Sequence, residues 1–311
     1  MTDYEFMLED RIAKIKAINE QYNLEENAYL AFSGGKDSTI LHHLLDLAIP
    51  GNKIPRVYDN TGIEYKLIRE FVKEMAKTDE RIIIINAGVN LKKMYQEEGY
   101  PFKSKEHSMR VADYKKGSTA EYIKKYITGK TKDGKETKFK CPEILKYQFT
   151  PENKLKISRA CCYKLKKEPM HKWAKENKKT IVLTGMRSEE GGNRRNMGCA
   201  IVKEGKLEKF HPLMVVTAEW EKEFIERERV ALSKLYKPPF NFERTGCKGC
   251  PYNQRLSEDL QILKELLPNE YKQCEILWKP VYDEYRRIGY RLTSKIDKQI
   301  SIWDFIEEGE E

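Results

Sequence analysis

Two groups of residues in this chain have types and spacing that could do chemistry. The first is the hexapeptide Ser33, Gly34, Gly35, Lys36, Asp37, Ser38. The second is a set of four cysteines, with Cys161 and Cys162 adjacent and Cys247 and Cys250 forming a CxxC. Paired glycines let a backbone approach an anion closely and allow positive φ, while serines add hydroxyl donors and a lysine adds a mobile charge. Asp37 is an odd neighbour for a phosphate unless it caps a helix, positions Lys36 or holds a magnesium ion. Thiolates from two separated segments can hold one soft metal centre. Four-cysteine zinc sites usually draw on two CxxC knuckles, so a vicinal pair is an awkward zinc clamp. A cubane with irons at separate corners accepts neighbouring thiolates. Spacing alone leaves zinc and a cluster both open.

The elements that must position these residues are also legible. Ala28 to Phe32 is a short apolar run of the kind that forms a buried strand, and apolar residues resume at helical spacing at Ile40, Leu41, Leu44 and Leu45. A strand, a glycine turn and a helix start bring backbone N–H groups and a partial positive charge to one spot, a good anion site. It is not a Walker A loop, because the GxxxxGK[ST] spacing is absent. Further strands are predicted at Lys53 to Tyr58, Arg81 to Asn86 and Thr180 to Leu183, the β-branched run Ile82 to Ile85 being expected to be buried on both faces. Helices are predicted from Asp3 to Tyr22, up to about Met75 and from about Leu91. This alternation predicts an α/β fold with a doubly wound parallel sheet, in which ligands bind beyond the carboxyl ends of the strands. That rule aligns Ser33–Ser38, Asp59–Gly62 and Gly185–Arg187 along one rim. The expected organisation is an N-terminal helix over 1–26, a nucleotide-binding domain over 27–255 and a helical region over 256–311. Residues 100–155 read as an insertion or flexible excursion over the site, its His107 segment placed to cover the nucleotide with Lys105 as a phosphate contact.

Composition bounds the function. The 311 residues are 40% hydrophobic and 34% charged, enough for a core under a well-solvated surface. No apolar run approaches the ~20 residues that span a bilayer, and the acidic, amphipathic start does not read as a signal peptide. A cytoplasmic protein without a membrane partner is expected. The net charge of +9 points to anionic partners such as nucleotides or nucleic acid. Seven cysteines in such a chain are not expected to form a disulfide framework. Of these, Cys141, Cys199 and Cys274 read as ordinary thiols.

The hexapeptide resembles the SGGxDS signature of the PP-loop ATP pyrophosphatases, the adenine nucleotide α-hydrolase-like superfamily. The CC…CxxC arrangement resembles the [4Fe-4S] site of the iron–sulfur branch of the phosphoadenylyl-sulfate/adenylyl-sulfate reductase family. Within TGMRSEEGGNRR, Arg187 matches the first arginine of that family's TGxRxxQSxxR segment and Arg194 or Arg195 the second, with Glu189 and Glu190 near the glutamine's place. YDNTGIEY resembles the family's DTG turn through Asp59, Thr61 and Gly62, and FHPLMVVTAEWE its HPL-then-Trp segment through His211, Pro212, Leu213 and Trp220. The resemblance runs from about Ala28 to Asn253. Two departures stand out. The family's ECGLH-type tail cysteine has no counterpart after Cys274, and the ATP-type loop stands complete, Lys36 and Asp37 included.

The resemblance implies a nucleotide site made by Ser33, Gly34, Gly35, Lys36, Asp37, Ser38, Asp59, Thr61, Gly62, Gly185, Arg187, Arg194 and Arg195, with Lys36 and Asp37 catalytic. It implies a cluster, or zinc in its place, on Cys161, Cys162, Cys247 and Cys250. The expected enzyme binds ATP with Mg²⁺ and cleaves it to an adenylate and pyrophosphate in sulfur-transfer chemistry. Its partners would be a nucleic-acid acceptor or a sulfur-donor protein. The alternatives are a sulfonucleotide reductase that makes sulfite from adenylyl sulfate or its 3′-phosphate, and a catalytically silent nucleotide sensor.

Overall fold

Residues 1–292 are described by the structure, a computed structural model. Residues 293–311, including the acidic end of the expected C-terminal helical region, lie outside the described residues. The core of the larger sequence pattern is β1 (Ala28–Phe32), whose Ala28, Leu30 and Phe32 are all within 2% of full burial. Apolar side chains on both faces of a strand suit a central position under helices. Accordingly β1 lies between β2 (Arg56–Asn60) and β4 (Ile181–Leu183), parallel to both, with Leu30 paired to Arg56 on one side and to Leu183 on the other.

The sheet has six strands in the order β3-β2-β1-β4-β6-β5, where β3 is Ile82–Asn86, β5 is Ala200–Lys203 and β6 is Lys206–Phe210. Five strands are parallel, and β5 runs antiparallel to β6 at the edge. The doubly wound α/β expectation therefore holds. One part of it does not: β3 is an edge strand, and Ile84 is 36% exposed rather than buried. Four β-branched residues in a row favour a strand but do not say which strand, because neighbours set burial.

From β1 the chain winds outward through β2 and β3, then returns to add β4 and β6 on the other side. The winding reverses between β1 and β4, and in such sheets that is where a crevice opens at the strands' carboxyl ends. The loop Ser33–Gly35 leaves β1 on this rim and enters the helix Lys36–Ala48, whose Ile40, Leu41, Leu44 and Leu45 are fully buried. The long first helix, Asp3–Tyr22, starts with a full capping box between Thr2 and Glu5.

The chain divides into two compact units. One comprises Met1–Gly88 and Leu165–Gly246 and contains the whole sheet; the other comprises Val89–Lys164 and the chain from Cys247 onward. The second unit is helical. It includes the 100–155 stretch, which is not a loose excursion. Helices Lys105–Lys115 and Glu121–Thr128 close on a core of Phe102, Val111, Ile123, Tyr126 and Phe149. His107 belongs to that core: it is fully buried and bonded to Tyr126 Oη at 3.0 Å and Gln148 Oε1 at 2.6 Å. Burial holds its pKa down at about 4, so it is a neutral packing residue of this core rather than a cover over the nucleotide. Among the described residues no helix is long and apolar enough to cross a membrane.

Candidate nucleotide site and cysteine centre

The anion loop is shaped by its glycines. Gly34 has φ +68, and a Cβ there would lie 2.5 Å from Val72 Cγ2, so both conformation and space require glycine. Gly35 caps the helix with extended backbone and contributes no side-chain acceptor. Both serines brace the loop itself. Ser38 Oγ donates to the Gly35 carbonyl at 2.9 Å, Ser33 Oγ accepts from Gly35 N at 3.2 Å, and the two hydroxyls sit 3.0 Å apart. Lys36 N donates to Tyr236 Oη at 3.0 Å, and that hydroxyl is 2.5 Å from Thr245 Oγ1.

Gly185, just beyond β4, is forced for a different reason. A Cβ on it would stand 2.6 Å from the Asp37 carbonyl oxygen, so only glycine lets this segment run against the first turn of the loop helix. The close approach delivers Arg187 to the loop. Arg187 is 8% exposed; its Nη2 lies 3.0 Å from Glu221 Oε2, its Nη1 3.0 Å from Glu189 Oε2 and its Nε 3.6 Å from Asp37 Oδ1. Lys36 Nζ reaches the same Glu221 oxygen at 3.1 Å. Glu221 is fully buried on the helix Ala218–Arg227, and burial together with the neighbouring Asp37 carboxylate pushes its pKa up against the pull of Lys36 and Arg187. Two cations and three carboxylates thus meet at the loop.

Around them opens a cavity of about 630 Å³, lined among others by Ser33, Gly35, Lys36, Asp37, Ser38 and Arg187. Gly185 and Arg194 line it too, and Arg194 and Arg244 both pair with Glu190. Arg195 is exposed and does not line it. Asp59 faces a second cavity of about 190 Å³, which shares Ala31, Ser33 and Thr245 with the first. Both Asp59 carboxylate oxygens are buried without a hydrogen bond, and burial, with Glu64 nearby, lifts its pKa to about 7 while Lys166 pulls the other way. Thr61 and Gly62 line neither cavity. Thr61 is bound into its own turn, its hydroxyl 2.5 Å from Glu64 Oε1 and its N–H donating to Glu64 Oε2 at 3.1 Å.

Glu221, Tyr236, Thr245 and Arg244 escaped the sequence reading. Glu221 directly follows Trp220 in the HPL-then-Trp segment, and that adjacency was the one available signal. Tyr236 and Thr245 come from an irregular stretch without a pattern.

The second unit gathers all four cysteines of the CC…CxxC set. Cys161 is 5% exposed, and the thiols of Cys162, Cys250 and Cys247 all act on it, together with burial, to raise its pKa. All four thiols likewise push up the phenol of Tyr95, after burial itself. None of the seven cysteines forms a disulfide. The CxxC turn is held from one side by the C-terminal helices. Trp278 Nε1 donates to the Lys248 carbonyl at 2.9 Å, Tyr282 Oη to Gly249 O at 2.5 Å and Tyr285 Oη to Pro251 O at 2.9 Å. Gly249 has φ +61, and a Cβ on it would meet Cys274 Sγ at 2.7 Å. Cys274, 1% exposed, is a packing thiol beneath the turn. Lys248 points away into a buried ion pair with Glu270 at 3.0 Å.

Whether this set suits a sulfur-ligated group can be tested on Tyr95. Its ring is fixed by a stack on Tyr100 and an edge contact to Trp278, it is 1% exposed, and its hydroxyl has no hydrogen-bond partner. A buried hydroxyl without an acceptor costs about 1–3 kcal/mol, so its place near four thiols suits a sulfur acceptor held there. Among the described residues no group of three or more His, Cys, Asp or Glu is arranged to hold a single metal ion.

A mostly parallel α/β sheet with a glycine- and lysine-bearing loop at its switch point has the architecture in which such sheets bind ligands. The model of the phosphoadenosine phosphosulfate reductase domain matches residues 27–135 and 119–253, most of the chain, and the protein belongs to that family of nucleotide-binding enzymes. A curated relative, an uncharacterised protein of Methanocaldococcus jannaschii, is 31% identical over 141 residues, 42% of this chain; the match spans 33% of that relative's length. Among solved structures, the phosphoadenylyl-sulfate reductase of Candida auris is similar at 15% identity, with 71% of this chain and 81% of that chain covered and a TM-score of 0.41. The NH3-dependent NAD synthetase of Campylobacter jejuni is 12% identical over 93% of this chain and 97% of its own, with a TM-score of 0.40. The U34-tRNA thiolase of Methanococcus maripaludis, solved with its [4Fe-4S] cluster, is 13% identical over 89% and 80%, with a TM-score of 0.38.

Proposed function

We propose that the protein binds ATP in the large cavity and cleaves it between the α- and β-phosphates, activating an acceptor as its adenylate for sulfur transfer. The observation that carries this reading is the pairing of Lys36 and Arg187 on Glu221, beside Asp37, at the mouth of the glycine loop. A departing pyrophosphate needs mobile positive charge and oriented N–H donors where its own charge develops. Lys36 supplies the charge from the first helical turn, and the helix start, where Gly35 offers no side-chain acceptor, supplies the partial positive charge. Arg187, wedged against the loop by Gly185, orients the α-phosphate. Glu221 holds both cations in place and yields them as phosphate oxygens arrive. Asp37 would hold Mg²⁺, which shares the charge of the triphosphate. Asp59, in the adjoining cavity, is positioned for the nucleoside, and Arg194 for the outer rim.

Cys161, Cys162, Cys247 and Cys250 would hold a [4Fe-4S] cluster which, with a thiolate on each iron, would supply a structural and electrostatic support to the unit rather than an open iron site. The all-thiol donor set and the orphaned Tyr95 hydroxyl suit a sulfur-ligated group, and the vicinal Cys161–Cys162 pair favours a cluster over zinc. The residues' own part is to bury the group, through Cys161 and Tyr95, and to keep the CxxC turn rigid through Trp278, Tyr282 and Tyr285.

Family membership favours one second reading, reduction of a sulfonucleotide to sulfite. Anaerobically purified protein, incubated with ATP and Mg²⁺ or with adenylyl sulfate and a thiol reductant, separates the two. The first reading expects AMP and pyrophosphate from ATP, reduced about 100-fold or more in Lys36→Ala. Sulfite from adenylyl sulfate, with no pyrophosphate from ATP, would replace it with the second.

A further inference from the structure

The helical unit carries a projecting basic finger that neither the nucleotide site nor the cysteines use. The helix Glu121–Thr128 ends at Gly129, and the chain leaves and returns at one point, where Cys141 N donates to the Tyr126 carbonyl at 2.7 Å. Both anchors are buried, Tyr126 at 5% and Cys141 at 1% exposure. The excursion between them is ordered as a short hairpin. Thr131 N bonds Lys135 O at 2.8 Å, Gly134 N bonds Thr131 O at 2.9 Å, Thr137 N bonds Gly129 O at 2.8 Å, and Lys130 bridges to Glu136.

The hairpin carries Lys130, Lys132, Lys135, Lys138 and Lys140 against Asp133 and Glu136, and Lys124 and Lys125 stand on the helix that leads into it. All five hairpin lysines are exposed. Among them sits Phe139, 80% exposed, while Phe102, Tyr126 and Phe149 of the same unit are buried. A solubilising lysine loop has no use for a phenylalanine in water, because exposed apolar rings cost solvation and invite association. A polyanion with unstacked bases uses both features. Spaced ammonium groups follow its phosphates, and a projecting ring stacks on a base.

We propose that this hairpin is a docking surface for single-stranded or looped nucleic acid. Its role as the holder of the acceptor rests on the adenylation reading above; the binding itself does not. Backbone bonds hold the finger before the strand arrives, so the ordering cost of binding is low. The base-stacking ring directs it to single strands rather than to closed duplex.

The test is fluorescence anisotropy of the full chain, without ATP, against a labelled 20-nucleotide RNA, the DNA of the same sequence and the corresponding duplex. Expected is saturable binding to the single strands that weakens steeply with salt and exceeds duplex binding. Lys132→Glu/Lys135→Glu/Lys138→Glu should weaken it at least tenfold and flatten the salt slope. Phe139→Ala should weaken it about tenfold with the salt slope unchanged. Circular dichroism and thermal melting should match wild type, since the hairpin's side chains are exposed, and Lys36→Ala should bind like wild type. Absence of strand binding by wild type, or equal binding by both variants and wild type, overturns the proposal. Equal affinity for duplex overturns the stacking role. Strand binding without pyrophosphate release would sink the adenylation reading and leave this surface standing.

Discussion

In the sheet-containing unit, each cation that lines the large cavity is already held by a carboxylate. Lys36 and Arg187 share Glu221, while Arg194 and Arg244 share Glu190. In the helical unit the polar groups around the cysteines are arranged the other way. Carbonyls of the CxxC turn are tied back by aromatic donors, and the buried Tyr95 hydroxyl, on which all four thiols act, has no partner. The first pattern suits a ligand that comes and goes, because a phosphate trades places with Glu221 instead of meeting bare charge. The second suits a resident group, because a buried donor and four sulfurs gain only when something stays.

The largest effect expected from breaking this contrast is at Glu221. Glu221→Gln leaves Lys36 and the buried Arg187 without their common anion, and stability should fall by about 3 kcal/mol in urea unfolding. Nucleotide affinity should rise at the same time, since phosphate no longer competes with a carboxylate. An unchanged midpoint together with weaker nucleotide binding would contradict the exchange of partners.

Asp59 sharpens the same side of the comparison. Its folded pKa of about 7 is above the ordinary carboxyl value of 3.8, so the folded state holds a proton that the unfolded chain releases. Stability from this group is therefore present at low pH and declines as pH rises from about 4 to about 7. Asp59→Asn should remove that decline and make the protein more stable than wild type at pH 8, as read by thermal melts across the range. Parallel pH profiles for the two proteins would show the carboxyl to be hydrated after all.

Tyr95→Phe makes the smallest change, one hydroxyl in the helical unit. Iron content should stay at the wild-type value, while the reduction potential moves negative because a hydrogen bond to sulfur is lost. Equal potentials in two fully loaded proteins would detach Tyr95 from the centre.

Much of the nucleotide half was legible because its motif is local. Strand, glycines, lysine and helix follow one another from Ala28 to Leu45, and alternation with later strands was enough to place three turns on one rim. Glu221 was not legible, since its meaning depends on a contact with residues about 185 positions earlier, and Ala218–Arg227 reads as any amphipathic helix. The strand Lys206–Phe210 was missed because only Leu207 and Phe210 are buried and charged residues fill the rest. The serines of the loop show the reverse limit: their types suggested anion donors, and the structure has them bracing the turn. The four cysteines of the CC…CxxC set fall in one unit and act on one another, but the CxxC clamp by Trp278, Tyr282 and Tyr285 needed the helices folded.

In the proposed reaction the loop acts on ATP at its α-phosphorus. This is tested most directly by ³¹P NMR of ATP and Mg²⁺ incubated with anaerobically purified protein and single-stranded RNA. The account predicts resonances of pyrophosphate and AMP, or an AMP ester, with wild type and almost none with Lys36→Ala of equal metal content. ADP and inorganic phosphate in their place would mean that the bond broken is β–γ, and would contradict it.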